Sequence, residues 1–280
     1  DAVCIDLEAA LALEEKVAAR ANVVRAFGEL DFGPRLRMFR INGLDTPFAY
    51  RDVIEVVEAV GDRVDLLVLP KANRAADVAF VDILLSQIEA SRGFDNRIAM
   101  EVHIETAGAF LAAREIAGAS TRLDALIFGP GDYAASLHAP LASIGEEDSH
   151  DAAYPGHRWH AVMHTVVAAA RANGLRCVDG PFAGLGDTQG LERAARIARA
   201  LGFDGKQCIH PAQLDPVNRI FTPPADEVAW AERVLQAYET SRSRGRGVVA
   251  LDGKMIDAAN LRMARVTTEQ HRLIQARLRS

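Results

Sequence analysis

The sequence predicts an α/β protein built as a (β/α)8 TIM-type barrel with a small C-terminal helical extension. Three observations predict it: short apolar runs recur about every 30 residues, amphipathic stretches separate them, and no run leads into the glycine fingerprint of an open dinucleotide-binding sheet. We count seven such runs, whereas a closed barrel of this type has eight strands. We therefore expect the first βα unit to lie upstream of Asp1.

The predicted strands are short and apolar, which is typical of parallel strands buried on both faces. They are Ala2–Leu7, Leu36–Ile41, Leu66–Leu69, Ile98–Ile104, Ala125–Phe128, Leu175–Val178 and Lys206–Ile209. The predicted helices carry apolar residues three or four positions apart. They are Glu14–Phe27, Tyr50–Val60, Ala75–Ala90, Ala107–Ala119, Trp159–Ala172 and Gly190–Leu201.

Two stretches depart from this alternation. Residues 129–158 form one wide interval after a strand, so we expect a functional loop over the catalytic face there. After Phe221 the alternation stops, and we predict a barrel domain over 1–221 and an extension over 222–280. The extension should hold a helix, a basic turn, a short apolar segment and an Arg-rich last helix; these are Ala225–Thr240, Ser241–Gly247, Leu251–Asp257 and the residues that follow.

The composition excludes several classes of protein. Of the 280 residues, 49% are hydrophobic and 25% are charged, as in a soluble globular chain. A net charge of −6 lacks the basic footprint that a nucleic-acid partner requires. No apolar run approaches the roughly 20 residues of a membrane span, and no signal-peptide pattern opens the chain. Cys4, Cys177 and Cys208 lie far apart in apolar runs, which indicates buried thiols in a cytoplasmic protein.

Polar residues at the carboxyl ends of the predicted strands form the candidate site, because a TIM-type barrel carries its chemistry there. They are Asp6, Glu8, Arg40, Asn42, Lys71, Glu105, Asp132, Asp179 and His210. Carboxylates gathered at one edge repel one another unless a cation offsets them. Hard oxygen ligands without a Cys/His cluster favour Mg²⁺ or Mn²⁺ over zinc. We select Glu105 and Asp132 as the metal ligands; the alternative is that each only caps a helix.

Arg40 and the histidines need separate interpretation. A guanidinium beside a metal suits a carboxylate or a developing oxyanion, and the alternative for Arg40 is a surface ion pair. His157, His160 and His164 share a helix face and could hold a soft metal, although a half-buried face at a loop-to-helix junction is the favoured interpretation. Two interpretations of His210 stay open: a core histidine with a backbone partner, or a residue that contacts substrate.

Seven motifs, in order along the chain, resemble one family. They are Phe39-Arg-Ile-Asn-Gly-Leu-Asp-Thr-Pro-Phe48, Leu69-Pro-Lys71, Ile104-Glu-Thr106, Phe128-Gly-Pro-Gly-Asp-Tyr-Ala-Ala-Ser136, Asp179-Gly-Pro-Phe182, Gly202-Phe-Asp-Gly-Lys-Gln-Cys-Ile-His-Pro211 and Leu251-Asp-Gly-Lys-Met-Ile-Asp257. They are similar to the citrate-lyase-β-like CoA-ester lyases of the HpcH/HpaI aldolase superfamily, and most resemble the malyl-CoA and β-methylmalyl-CoA lyases.

The resemblance implies a Mg²⁺-dependent carbon–carbon lyase that reversibly cleaves a 3-hydroxyacyl-CoA to acetyl-CoA or propionyl-CoA plus glyoxylate. It implies metal ligands at Glu105 and Asp132 and an active-site arginine at Arg40. It also implies that Asp257 enters the site of a neighbouring subunit of a homotrimer or homohexamer. We expect Asp257 to transfer the proton and Arg40 to stabilise the enolate.

Three alternatives stay open. The first is cleavage of citramalyl-CoA or citryl-CoA, or hydrolysis of malyl-CoA, at the same site. The second is a pyruvate–aldehyde aldolase that uses no CoA. The third is a non-catalytic homologue that acts as a binding or assembly protein, which the change of a family acid to Ala9 would favour.

Overall fold

A computed structural model describes residues 1–154, 156–243 and 247–279. Seven parallel strands form one sheet whose spatial order follows the chain order. They are β1 (Ala2–Asp6), β2 (Leu36–Arg40), β3 (Leu66–Leu69), β4 (Ala99–Ile104), β5 (Leu123–Phe128), β6 (Arg176–Asp179) and β7 (Gly205–Lys206). The predicted α/β architecture is confirmed, because a parallel sheet of consecutive strands with intervening helices is the TIM-type arrangement.

The helices that follow the strands cover the sheet. They are α1 (Lys16–Glu29), α2 (Ala49–Val60), α3 (Ala75–Arg92), α4 (Ala107–Leu111), α5 (Ala113–Ala117), α6 (Pro130–Ser136), α7 (His160–Ala172), α8 (Thr188–Leu201) and α9 (Leu214–Phe221). Their ends show ordinary capping chemistry: the Asp187 side chain accepts a hydrogen bond from the Gly190 N–H at the start of α8, and Gly202 ends that helix with a left-handed φ of +101°.

One apolar cluster on a single sheet face lies below the strand ends. Its buried members are Met38, Leu66, Val68 and Ile127. Because side chains alternate between faces along a strand, the residue two positions after Met38 shares its face. That residue is Arg40, so an apolar layer gives way to a charged one at the carboxyl ends of the strands.

The structure corrects three expectations. The single helix expected over 107–119 is two short helices, since Ala112 leaves the helical region. The expected loop over 129–158 begins with α6, for which Pro130 supplies a preset φ at the first position. Cys4 is exposed and Cys208 is partly exposed, so only Cys177 of the three is buried as expected.

The chain divides into two compact units, residues 1–217 and 218–280. In the second unit, α10 (Ala225–Arg242) and α11 (Ala258–Arg279) pack together with a hairpin of β8 (Val249–Leu251) and β9 (Lys254–Ile256). Asp252 and Gly253 join the two strands with φ values of +50° and +74°, the conformation that a two-residue hairpin turn requires. Part of the expected basic turn, 244–246, lies outside the described residues.

No helix among the described residues is both long enough and apolar enough to cross a membrane.

Candidate active site

Six charged side chains from five neighbouring strand ends lie together. We call this group the strand-end cluster, and its members are Asp6, Glu8, Arg40, Lys71, Glu105 and Asp132. The sheet register places them: Asp6 pairs with Arg40 across β1 and β2, and Ile104 pairs with Phe128 across β4 and β5. Each strand therefore ends at the same level, and the residues just beyond it converge.

Arg40 joins the two acids that follow β1. Its Nε lies 2.7 Å from Asp6 Oδ1 and its Nη2 lies 2.6 Å from Asp6 Oδ2, which is a two-pronged carboxylate contact. Its Nη1 lies 2.9 Å from Glu8 Oε2. Burial opposes the charge of Arg40, but the hydrogen bonds and charges of Asp6 and Glu8 outweigh it and raise the pKa of the guanidinium. Arg40 is therefore a fixed positive charge at the centre of the cluster.

Lys71 contacts three of the carboxylates. Its Nζ lies 2.6 Å from Glu8 Oε1 and 3.5 Å from Asp132 Oδ1, and its backbone N–H donates to Glu105 Oε1 over 2.8 Å. The backbone at Lys71 has a φ of +51°, which is left-handed and uncommon for a residue with a side chain. Such strain is typical of functional sites, where the surrounding structure holds it in place.

Glu105 is buried, with 2% of its surface exposed, and both of its oxygens are held. Oε1 accepts from the Lys71 N–H, and Oε2 lies 2.9 Å from His103 Nδ1. Burial opposes ionisation, but His103, the Lys71 N–H and the charge of Arg40 outweigh it and lower the pKa of the carboxyl. Glu105 is therefore an oriented anion. A side chain at Gly129, the residue after β5, would collide with it.

Asp132 lies in the first turn of α6, three residues after Gly129. Its side chain is 47% exposed, so one side of the cluster opens to solvent. Lys71 links Asp132 to Glu105, through its ammonium on one side and its backbone N–H on the other. The structure thus brings the two predicted metal ligands into one cluster, and their role as ligands stays a prediction.

The donor set fits a hard divalent cation. Four carboxylates against two cations leave a formal excess of two negative charges in the strand-end cluster. Glu8 Oε2 is buried without a hydrogen bond, although Arg40 lies close to it. In the described part of the chain, no three His, Cys, Asp or Glu residues are grouped as a metal cage. Mg²⁺ usually takes only one or two protein carboxylates and completes its shell with water and substrate oxygens, so Glu105 and Asp132 suffice.

Other predicted residues lie elsewhere. Asp257 belongs to the second unit, where its Oδ1 accepts from the N–H groups of Ala259 and Asn260 at the start of α11. His210 Nδ1 accepts from the Ala212 N–H and so caps a short turn. On α7, the rings of His160 and His164 lie 4.5 Å apart and contact each other edge to face.

The sequence placed Glu8 and Lys71 at the strand ends without a specific role and did not single out His103, although these residues organise the cluster. A signal was available for His103, because it lies on β4 two positions before Glu105, which directly follows that strand, and residues two positions apart share a face of the sheet. No comparable signal marks the contacts of Lys71, because they join positions 34 to 63 residues apart.

The chain is similar to known proteins over most of its length. The sequence profile of the HpcH/HpaI aldolase/citrate lyase family matches residues 1–211. The L-malyl-CoA/beta-methylmalyl-CoA lyase of Cereibacter sphaeroides is 39% identical over 282 residues, covering 99% of this chain and 89% of that protein. A (3S)-malyl-CoA thioesterase of the same species is 34% identical, covering 99% of this chain and 88% of that protein. The CitE protein of Mycobacterium tuberculosis, crystallised with magnesium, acetoacetate and coenzyme A, is similar at a TM-score of 0.74 and 29% identity, covering 97% of this chain and 90% of that one.

Proposed function

Because the chain belongs to the HpcH/HpaI aldolase/citrate lyase family, we propose that it is a Mg²⁺-dependent CoA-ester lyase. Its substrates would be L-malyl-CoA or β-methylmalyl-CoA, cleaved reversibly to glyoxylate and either acetyl-CoA or propionyl-CoA. The relative from Cereibacter sphaeroides carries this activity in its name and aligns with almost the whole chain. The observation that carries the proposal is the strand-end cluster, in which Lys71 contacts Glu105 through its backbone N–H and Asp132 through its ammonium, and the charge of Arg40 acts on Glu105.

The chemistry requires charge stabilisation in both directions. Cleavage breaks the bond between the carbon bearing the hydroxyl and the α-carbon of the thioester. The hydroxyl loses one proton, the electrons of the broken bond form the thioester enolate, and its α-carbon takes up one proton, so no proton is gained or lost overall. Glu105 and Asp132 would hold the Mg²⁺ ion, which polarises the oxygens of the 2-oxo acid when it is bound. Arg40 would stabilise the enolate oxygen. Only three of its five N–H donors face Asp6 and Glu8, so donors are left for substrate.

Asp257 would carry the proton to and from the α-carbon, which is next to the thioester carbonyl. We propose that it does so in the site of a neighbouring subunit of a homotrimer or homohexamer, to which residues 222–280 contribute. The segment that precedes α11 supports this role, because the β8–β9 turn and the contacts of Asp257 with the α11 N–H groups hold its carboxylate in a defined place.

The three free cysteines agree with a cytoplasmic enzyme.

A second candidate is hydrolysis of malyl-CoA, which the likeness to a (3S)-malyl-CoA thioesterase favours. In that reaction water attacks the thioester carbonyl and the CoA thiol leaves, so free malate forms and no carbon–carbon bond breaks. The same cluster of charges would serve either reaction.

One assay separates these functions. Purified protein is incubated with Mg²⁺, glyoxylate and either acetyl-CoA or propionyl-CoA, and in a second vessel with malyl-CoA alone, and products are followed by mass. We expect the malyl thioester from condensation, and acetyl-CoA with glyoxylate from cleavage. Free malate from malyl-CoA without condensation would favour the thioesterase, and no product from any vessel would contradict both.

Variants connect the activity to the site. Glu105→Gln and Asp132→Asn keep the size of each side chain and remove its charge, so each should abolish Mg²⁺-dependent turnover. Glu14→Gln, at an exposed position before α1, is the matched control and should behave as wild type. Full turnover in either cluster variant would contradict the ligand assignment.

A further inference from the structure

We propose that His103, held by Gln207, is a positioning residue: it fixes the orientation of the Glu105 carboxylate and thereby sets the affinity of the site for a divalent cation. The inference rests on the proposed function, because it requires a cation at Glu105 and Asp132. His103 itself would touch neither the cation nor the substrate.

The first argument is the contact between His103 and Glu105. The two residues share a face of the sheet at the end of β4, and each is 2% exposed. His103 Nδ1 lies 2.9 Å from Glu105 Oε2. Since an ionised carboxylate only accepts hydrogen bonds, Nδ1 carries the proton.

The second argument is the partner of the other ring nitrogen. Once the proton is on Nδ1, Nε2 of the neutral ring is an acceptor. Gln207 Nε2 lies 3.3 Å from it and can donate an amide hydrogen. Gln207 follows β7, and its backbone N–H donates to the Asp179 carbonyl at the end of β6 over 2.8 Å. The chain of contacts from Gln207 through His103 to Glu105 thus favours one tautomer and one ring orientation.

The third argument is what these contacts leave free. The Lys71 N–H holds Oε1 of Glu105 while His103 holds Oε2, so the carboxylate is fixed at both ends and cannot rotate. A carboxylate has about four lone-pair positions, so each oxygen keeps one for a cation. A ligand already oriented before the cation arrives loses less side-chain entropy when it binds. Hydrogen-bonded partners of metal ligands typically change metal affinity by about 10- to 100-fold when they are removed.

The competing interpretation is that His103 only fills the core and satisfies its own nitrogens. Both interpretations predict a loss of stability when the ring is removed. Only the positioning role predicts that cation affinity falls in the folded variant and returns when a donor is restored at the place of Nδ1. Cation affinity without substrate is therefore the informative quantity.

The experiment measures binding of Mn²⁺ to the full chain by the electron paramagnetic resonance signal of the free ion, without substrate. The variants are His103→Leu, which removes the ring donor; His103→Asn, whose amide nitrogen comes close to the position of Nδ1; and Gln207→Met, which removes the second donor. His160→Leu, an exposed histidine on α7, is the control. Far-UV circular dichroism confirms that each variant is folded.

We expect His103→Leu to weaken Mn²⁺ binding by about 10- to 100-fold and His103→Asn to recover most of that loss. Gln207→Met should weaken binding by about fivefold, the equivalent of one net hydrogen bond, and His160→Leu should not change it. Unchanged affinity in folded His103→Leu overturns the inference. If that variant does not fold, Gln207→Met decides alone, and wild-type affinity there overturns it.

The failure of the proposed function gives a different pattern. If wild-type protein binds no Mn²⁺, or if Glu105→Gln and Asp132→Asn bind it as wild type does, the metal site itself is wrong. If those two variants lose binding while both His103 variants keep it, the metal site stands and the positioning role is refuted.

Discussion

Glu101 offers a pH-dependent test of the sheet interior below the strand-end cluster. It lies on β4, four residues before Glu105 and on the same strand as His103. Burial, helped by the charge of Asp124 and opposed by that of Arg176, raises the pKa of Glu101 from 4.5 to about 7. Between pH 4.5 and about 7, Glu101 therefore keeps a proton in the folded protein that it releases in the unfolded chain.

The sign of the effect follows from proton linkage. Because the folded state binds the proton more tightly, the contribution of Glu101 to stability is fully present below pH 4.5 and is lost as the pH rises through about 7. The full difference between those two pKa values amounts to an upper limit of about 3 kcal/mol. About 1 kcal/mol of it is already lost at pH 5 and nearly all of it at pH 8.

The test is Glu101→Gln, which removes the titration and keeps the shape. We expect the variant to gain up to about 2 kcal/mol in unfolding free energy relative to wild type between pH 5 and pH 8, measured by urea unfolding at each pH. Glu14→Gln, at an exposed position, should show no such gain. A difference between Glu101→Gln and wild type that is equal at both pH values would refute the reasoning.

Three further predictions concern the elements that hold the site. Asp52→Ala should lower the unfolding free energy by about 3 to 5 kcal/mol, because it removes the carboxylate that lies 2.7 Å from the buried guanidinium of Arg20. A loss below about 1 kcal/mol in urea unfolding would show that this buried ion pair contributes little to stability. Gly129→Ala should lower Mg²⁺-dependent turnover by about 100-fold, because the new methyl group displaces the Glu105 carboxylate; normal kcat in a folded variant would show that the close approach is tolerated. Arg40→Lys keeps the charge but loses the two-pronged contact, so kcat for condensation should fall by about 100-fold; wild-type kcat would remove Arg40 from the mechanism.

The fold could be predicted from periodicity, because parallel strands buried on both faces are short apolar runs that recur between helices. Leu66–Leu69 is the same in prediction and structure, since all four residues are buried. The last strand was expected at Lys206–Ile209 but is Gly205–Lys206. Its length depends on where β6 pairs with it, at Val178 and Asp179, and a local sequence pattern does not encode that. The helix α6 was missed because its seven residues are too few to show a helical period.

The sequence predicted the position of the site better than the contacts among its side chains. Placing Glu105 and Asp132 at strand ends required only the fold class, and the structure brings both to Lys71. The contacts of each charge were not predictable, because Lys71 contacts Glu8, which lies 63 positions away in the sequence. The left-handed backbone of Lys71 has no signal in its residue type.

The most direct test of the central claim is a crystal of the protein grown with Mn²⁺, with anomalous diffraction measured near the manganese absorption edge. The account predicts one strong peak about 2.1 Å from a carboxylate oxygen of Glu105 and a similar distance from one of Asp132. A peak at another place, with neither carboxylate within bonding distance of it, would contradict it.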